Sequence, residues 1–80
     1  MGIKNAVTLR IQNLCEDRKI RLNALANLSG VTPSTVYSLF ENGRADVGVV
    51  ALKKICDGLG ISISEFFDDE IFKNLEQEIK

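Results

Sequence analysis

The 80-residue sequence contains no histidine, one proline and two cysteines. Histidine is a common zinc ligand and general base, so its absence argues against a zinc site and against a histidine-activated nucleophile. No glycine-rich phosphate loop is present, and the carboxylates of residues 68–70 are typical of a solvated helix end. These absences predict a protein that is not an enzyme, with no metal, other cofactor or small-molecule substrate.

Cys15 and Cys56 each lie on the apolar side of a predicted helix, which is typical of small buried thiols rather than a disulfide. The first residues lack the pattern of a signal peptide, and Ala6 stands where a myristoylation motif needs Ser or Thr. No apolar stretch is long enough to cross a membrane. We therefore expect a single cytoplasmic domain with no membrane partner.

Charge is unevenly distributed along the chain, although the net charge is only −1. Residues 1–45 hold six basic and three acidic side chains, whereas residues 46–80 hold four basic and eight acidic ones. Such asymmetry between halves indicates an anionic partner at one face of the protein.

Apolar residues recur at helical spacing in the first part of the chain, and no segment alternates as a strand does. A first helix is predicted over about residues 6–18, with Asn5 as its N-cap. A second covers about residues 22–28, and Gly30 ends it in the left-handed conformation.

A third helix is predicted to begin with Thr32 as N-cap and Pro33 as first helical residue. It is expected to run to Glu41, before Asn42-Gly43 stops it. The core-facing side chains predicted for the first three helices are Val7, Ile11, Leu14, Cys15, Leu22, Leu25, Ala26, Leu28, Val36, Leu39 and Phe40.

The second part of the chain predicts a fourth helix over about residues 49–58, with Val49, Leu52, Ile55, Cys56 and Leu59 facing inward. Ser62 and Glu65 form a capping-box pattern at the start of a fifth. The apolar spacing of the tail, residues 69–80, is compatible with a further helix. The fold class is thus all-α: a compact five-helix domain over residues 1–68 with a short tail.

The predicted second and third helices are joined by only a few residues around Gly30, so they cross steeply and closely. Such a helix-turn-helix places its second helix in the major groove of DNA. On a helical wheel, Ser34 and Ser38 lie opposite the core-facing side, and Tyr37 and Thr35 flank them. Short hydroxyl side chains can bond base edges.

Basic residues near this helix can supply the phosphate contacts that the helix itself lacks. Lys19 and Arg21 lead into the second helix, whose first N–H groups suit a phosphate. The alternative is that the hydroxyl face is merely solvated and that the basic residues only maintain solubility.

The segment LNALANLSGVTPSTVYSLFENG resembles the helix-turn-helix of phage-repressor-like (Cro/Xre-type) transcriptional regulators. ALKKICDGLGISISEFF resembles the fourth and fifth helices of that family, so the match covers residues 6–68. The resemblance implies a lambda-repressor-like fold that binds double-stranded operator DNA as a homodimer. It departs from the family at Leu22, where a glutamine often stands.

The resemblance implies two sets of contact residues. The implied base-reading residues are Pro33, Ser34, Tyr37 and Ser38. The implied phosphate-binding residues are Asn23, Thr32, Asn42 and Arg44. We add Lys19 and Arg21, which lead into the second helix, and Thr35, which flanks the hydroxyl side of the third.

Two functions remain open from the sequence. The first is sequence-specific DNA binding by a transcriptional regulator, with repression as its outcome. The alternative is a protein-interaction module that keeps the fold without specific DNA binding. The dimer contact is expected in the C-terminal part, where apolar side chains exceed what one small domain covers: Ile63, Phe66, Phe67, Ile71, Phe72, Leu75 and Ile79.

Overall fold

The computed structural model describes residues 1–41 and 46–79. Within them the chain forms five α-helices: α1 (Ile3–Arg18), α2 (Leu22–Ser29), α3 (Pro33–Ser38), α4 (Val49–Leu59) and α5 (Ile63–Phe67). One 3-10 turn, Glu70–Phe72, follows α5. The described residues contain no strand, so the all-α prediction is confirmed.

The helices surround one apolar core, with α2 packed against both α3 and α4. Phe66 of α5 is fully buried beside Ile11, Leu25, Val36 and Ile55. Burying a side chain of this size stabilises the fold by about 1.5–3 kcal/mol. Both cysteines are buried free thiols, as predicted.

Two side chains expected in the core are exposed instead. Leu28 is 59% exposed, because Leu22, Leu25, Ala26 and Ser29 form the i, i+3, i+4, i+7 face of α2 and Leu28 falls outside it. Val49 is 80% exposed, since the first turn of α4 extends beyond the core. The other predicted core residues are buried or partly buried.

The predicted boundaries of the first helix were wrong at its start. The Ala6 N–H donates to the Gly2 carbonyl over 3.1 Å, so the chain is already helical before Asn5. Gly2 is the N-cap residue, and Asn5 lies inside the first turn. The Asn5 carbonyl accepts a hydrogen bond from the Thr8 hydroxyl.

The predicted third helix is too long at its end. Regular α-helix ends at Ser38, and the N–H groups of Leu39, Phe40 and Glu41 donate to carbonyls three residues back, over 3.1–3.2 Å. This tighter hydrogen-bonding pattern is common at helix ends. The predicted stop at 42–43 lies outside the described residues.

One arginine of α1 makes several hydrogen bonds to the end of α5. Arg10 donates from Nε to the Phe66 carbonyl (2.8 Å) and from Nη2 to the Glu65 carbonyl (2.9 Å). Its Nη1 also pairs with the Asp69 carboxylate at 3.2 Å. The Phe66 carbonyl at the end of α5 thus gains a partner outside the helix, and the Glu65 carbonyl, which also accepts from the Asp68 N–H at 3.2 Å, gains a second donor.

The tail has one short 3-10 turn, and residues 73–79 lie outside any helix. It folds back on the first residues of the chain, since the Glu76 N–H donates to the Met1 carbonyl over 3.1 Å. Phe72 packs on the core and lies 4.9 Å from Phe67, measured between ring centroids. Much of the apolar tail therefore covers the domain's own surface.

Candidate nucleic-acid interface

The turn between α2 and α3 has the conformation that the sequence predicts. Gly30 adopts φ +68°, and the Val31 N–H donates back to the Ala26 carbonyl over 3.1 Å. A left-handed residue at this position favours glycine, which carries no Cβ to clash. Val31 then packs against the core, so the angle between α2 and α3 is fixed.

The α2 helix is held closely from two sides. Ala26 is fully buried in the core beneath the turn. On the α4 side, a Cβ added at Gly58 would lie 2.4 Å from the Ser29 hydroxyl oxygen and 2.9 Å from the Ser29 backbone nitrogen. The two helices therefore approach with no room for a side chain, and this contact sets the position from which α3 projects.

The start of α3 is organised by Thr32. Its hydroxyl oxygen accepts from the Thr35 N–H at 3.3 Å, and Pro33 occupies the first turn, as predicted. The same oxygen lies 3.1 Å from the Ser34 hydroxyl and 2.9 Å from the Thr35 hydroxyl. Three hydroxyl groups thus form one hydrogen-bonded cluster.

The outward side of α3 carries the predicted base-reading residues. Pro33, Ser34 and Tyr37 are exposed, and Tyr37 is 49% accessible. Ser38 is half-buried, and its hydroxyl donates to the Thr35 carbonyl over 2.8 Å. Val36 and Leu39 on the opposite side are buried. The four residues therefore differ in what they can offer a base: Pro33 has no side-chain hydrogen-bonding group, and the Ser38 hydroxyl already donates within the helix.

The basic lead-in to α2 lies on the surface. Lys19 closes α1 in the left-handed conformation with φ 55°, and Arg21 is the N-cap residue of α2. The side chain of Arg21 makes no capping bond, so it does not satisfy the first N–H groups of α2. Lys19, Arg21 and Asn23 are all exposed.

The other predicted phosphate-binding residues have different surroundings. Thr32 is exposed and Thr35 is half-buried, both within the hydroxyl cluster. Asn42 and Arg44 lie outside the described residues.

One contact at the end of α3 was not predicted from the sequence. The Lys4 ammonium donates to the Glu41 carbonyl over 2.8 Å, across 37 residues of chain. A cation beside the last carbonyls of a helix is favourable, because those carbonyls carry partial negative charge. No spacing pattern could have indicated this pair, since it depends on how α1 and α3 pack.

An open cleft of about 470 Å³ lies beside Tyr37 and Arg21 and reaches the Cys15 thiol. Burial raises the pKa of Cys15, with a smaller opposing effect from Arg18. Burial also raises the pKa of Cys56. Raised values keep both thiols protonated near neutral pH, which does not favour a reactive nucleophile.

An exposed helix joined by a short turn to the helix before it is typical of helix-turn-helix proteins. In this chain α3 has that position, and the basic residues Lys19 and Arg21 are also exposed. A family model described as the Cro/C1-type HTH DNA-binding domain matches residues 10–70. The chain belongs to this family, as the sequence resemblance indicated. Its members are DNA-binding regulators rather than enzymes.

Two known proteins are similar to the chain. Control protein C.MunI from Mycoplasma sp. is 54% identical over 35 residues, which are 44% of this chain and 47% of that protein. The match thus spans about half of the relative's length. The crystal structure of the prophage Lp1 protein 11 superposes with a TM-score of 0.81 and 28% identity, covering 94% of this chain and all of that one.

No helix among residues 1–41 and 46–79 is long and apolar enough to cross a membrane.

Proposed function

We propose that the protein is a sequence-specific transcriptional repressor that inserts α3 into the major groove of operator DNA. The observation that carries this proposal is the exposed side of α3, which projects from a rigid α2–α4 contact beside a basic segment. A helix held this way can present its side chains to base edges in a fixed register. Occupying the groove is sufficient to exclude other proteins from the same site.

Phosphate binding in this proposal comes from the lead-in to α2 and from the far end of α3. Lys19 and Arg21 are exposed, and the unsatisfied N–H groups at the start of α2 point to an anion site next to them. Asn23, Thr32, Thr35, Asn42 and Arg44 complete the proposed set. These contacts fix the register on DNA without reading sequence.

The working unit in this proposal is a homodimer. A six-residue helix contacts too few base pairs to specify one genomic site, whereas two copies present α3 to half-sites about one DNA turn, roughly 34 Å, apart. Supporting a self-association surface, Ile3, Val49 and Phe67 line one apolar cleft, and Val50 beside it is 69% exposed. This patch fits a dimer contact better than the tail does, because Phe66 and Phe72 pack on the core of their own domain.

Selection of bound duplexes from a random pool tests specific recognition. We expect a consensus with two related half-sites of opposite orientation. Retention of all duplexes alike would overturn specific binding and would favour the alternative, a protein-interaction module with this fold. The effect on a reporter gene placed behind the selected site then distinguishes repression from activation.

Salt titration tests the phosphate contacts. Arg21→Ala or Arg44→Ala should weaken binding to every duplex and reduce the salt slope by about 1. Lys54→Ala is the matched control, because Lys54 is an exposed cation on α4, away from the proposed phosphate-binding residues. Equal slopes for all three variants would contradict the proposed phosphate surface.

Sedimentation velocity tests the dimer. Val49→Glu or Phe67→Glu should shift the chain toward monomer, because each places a charge in the apolar cleft. Leu28→Glu is the control, since Leu28 is also exposed and apolar but does not line this cleft. A wild-type chain that remains monomeric on operator DNA would contradict the homodimer.

A further inference from the structure

The α3 helix lacks the side chains that read purines most strongly. Its six residues are Pro, Ser, Thr, Val, Tyr and Ser. Guanine is usually recognised by two hydrogen bonds from Arg or Lys, and adenine by two from Asn or Gln. No residue of α3 can make either paired contact.

The hydroxyl groups of α3 are already engaged within the protein. The Ser34 and Thr35 hydroxyls both lie within hydrogen-bond distance of the Thr32 hydroxyl, at 3.1 and 2.9 Å. The Ser38 hydroxyl donates its hydrogen to the Thr35 carbonyl. A hydroxyl that donates its one hydrogen within the protein can only accept a hydrogen bond from a base, unless the internal bond is broken first. These groups therefore discriminate weakly between bases.

The outward surface that remains is largely apolar. It includes the exposed Pro33 ring and the aromatic ring of Tyr37, a residue that is 49% accessible and carries one phenolic hydroxyl at the end of its ring. In the major groove, the apolar feature of a base edge is the C5-methyl group of thymine. The chemistry of the helix surface and the chemistry of this base edge are therefore complementary.

We propose that α3 selects its operator by pyrimidine 5-methyl groups, which pack against Tyr37 and Pro33, rather than by hydrogen bonds to purines. The inference rests on the proposed function and specifies what the base-reading surface recognises. Because 5-methylcytosine presents the same methyl group as thymine, it is accepted at a methyl-contacting position. Operator affinity consequently depends on cytosine methylation at that position.

Replacement of thymine by deoxyuridine tests the inference, because it removes only the methyl group. Each thymine of the selected operator is replaced in turn, and affinity is measured by fluorescence anisotropy. We expect a loss of about three- to fivefold at one or two positions in each half-site, as burial of a single methyl group predicts. At such a position, a 5-methylcytosine–guanine pair should bind several-fold tighter than an unmodified cytosine–guanine pair.

Two substitutions test whether the rings of Tyr37 and Pro33 make the proposed methyl contacts. In Tyr37→Ala, the affinities for the thymine and the deoxyuridine operators should become nearly equal at the affected position, so that the thymine-to-uracil affinity ratio is close to one. Pro33→Ala should have the same effect at a second position. Leu28→Ala is the matched control and should leave that ratio unchanged, because Leu28 is an exposed apolar residue of α2 outside the base-reading set. Tyr37 is half exposed, and circular dichroism verifies that its variant remains folded.

The outcomes separate this inference from the function on which it rests. If the operator is still preferred over a shuffled duplex but every deoxyuridine substitution is neutral, methyl recognition is overturned and specific binding stands. The same holds if Tyr37→Ala and Pro33→Ala both leave the thymine-to-uracil ratio intact. If selection gives no preferred sequence, the proposed function itself fails.

Discussion

Substitution of Gly58 by alanine tests the α2–α4 contact, because packing predicts a loss of stability whereas helix propensity predicts a gain. Alanine is favoured over glycine inside a helix by up to about 1 kcal/mol. Here, however, the new Cβ would meet the Ser29 oxygen at 2.4 Å, the Ser29 nitrogen at 2.9 Å and the Leu28 carbonyl carbon at 3.0 Å. Two of these three atoms belong to the backbone, so the helices must separate.

Overpacking of this kind costs about 1–3 kcal/mol. After a helix preference of up to about 1 kcal/mol is subtracted, we expect Gly58→Ala to destabilise the protein by up to about 2 kcal/mol and to lower Tm by up to roughly 15 °C. Thermal and urea unfolding, followed by circular dichroism, measure both values. Lys54→Ala, at an exposed position of the same helix, should change stability by less than about 0.5 kcal/mol.

Ser29→Ala separates the hydroxyl clash from the backbone clash. The Ser29 hydroxyl is buried without a hydrogen-bond partner among the described residues, so its removal alone should be neutral or stabilising. In the Ser29→Ala background, Gly58→Ala should still destabilise the protein, although by less than in the wild type. The reason is that the backbone atoms of Ser29 and Leu28 remain close to the new Cβ. A Gly58→Ala variant at least as stable as the wild type would show that α2 and α4 do not approach this closely.

Three further predictions follow from the same packing. Ala26→Leu should cost about 1–3 kcal/mol in unfolding free energy, because Ala26 is fully buried beneath the turn; unchanged stability would contradict that crossing. Arg10→Met should cost about 2–3 kcal/mol, because it leaves two α5 carbonyls without their charged donor, whereas exposed Arg18→Met should be nearly neutral. Thiol labelling at pH 8 should be slow in the folded chain and fast in urea, since burial raises the pKa of Cys15 and Cys56; rapid labelling of the folded chain would contradict their burial.

Local signals in the sequence predicted most of the fold. The Ser62–Glu65 capping box is present with both reciprocal hydrogen bonds, at 3.0 and 3.4 Å. Thr32 and Gly30 act as predicted at either side of the turn. These features depend on only four or five consecutive residues, and such short-range preferences are readable without knowledge of the packing.

Features that depend on packing could not be predicted in the same way. Val49 continues the apolar spacing of α4, yet it lies beyond the end of the core. The residues of α3 were correctly oriented by the helical wheel, but the engagement of the Ser34 and Ser38 hydroxyls depends on the rotamers around Thr32 and Thr35. The Lys4–Glu41 contact joins α1 to the residues just after α3, across 37 residues of chain, and has no sequence signature.

The central claim is that α3 recognises a particular DNA sequence. Its most direct test is a competition experiment at near-physiological salt between the selected operator and a duplex of the same length and composition in shuffled order. The proposal predicts that the operator binds at least about a thousandfold more tightly, the lower end of the range for specific DNA-binding proteins. Equal affinity for the two duplexes would contradict it.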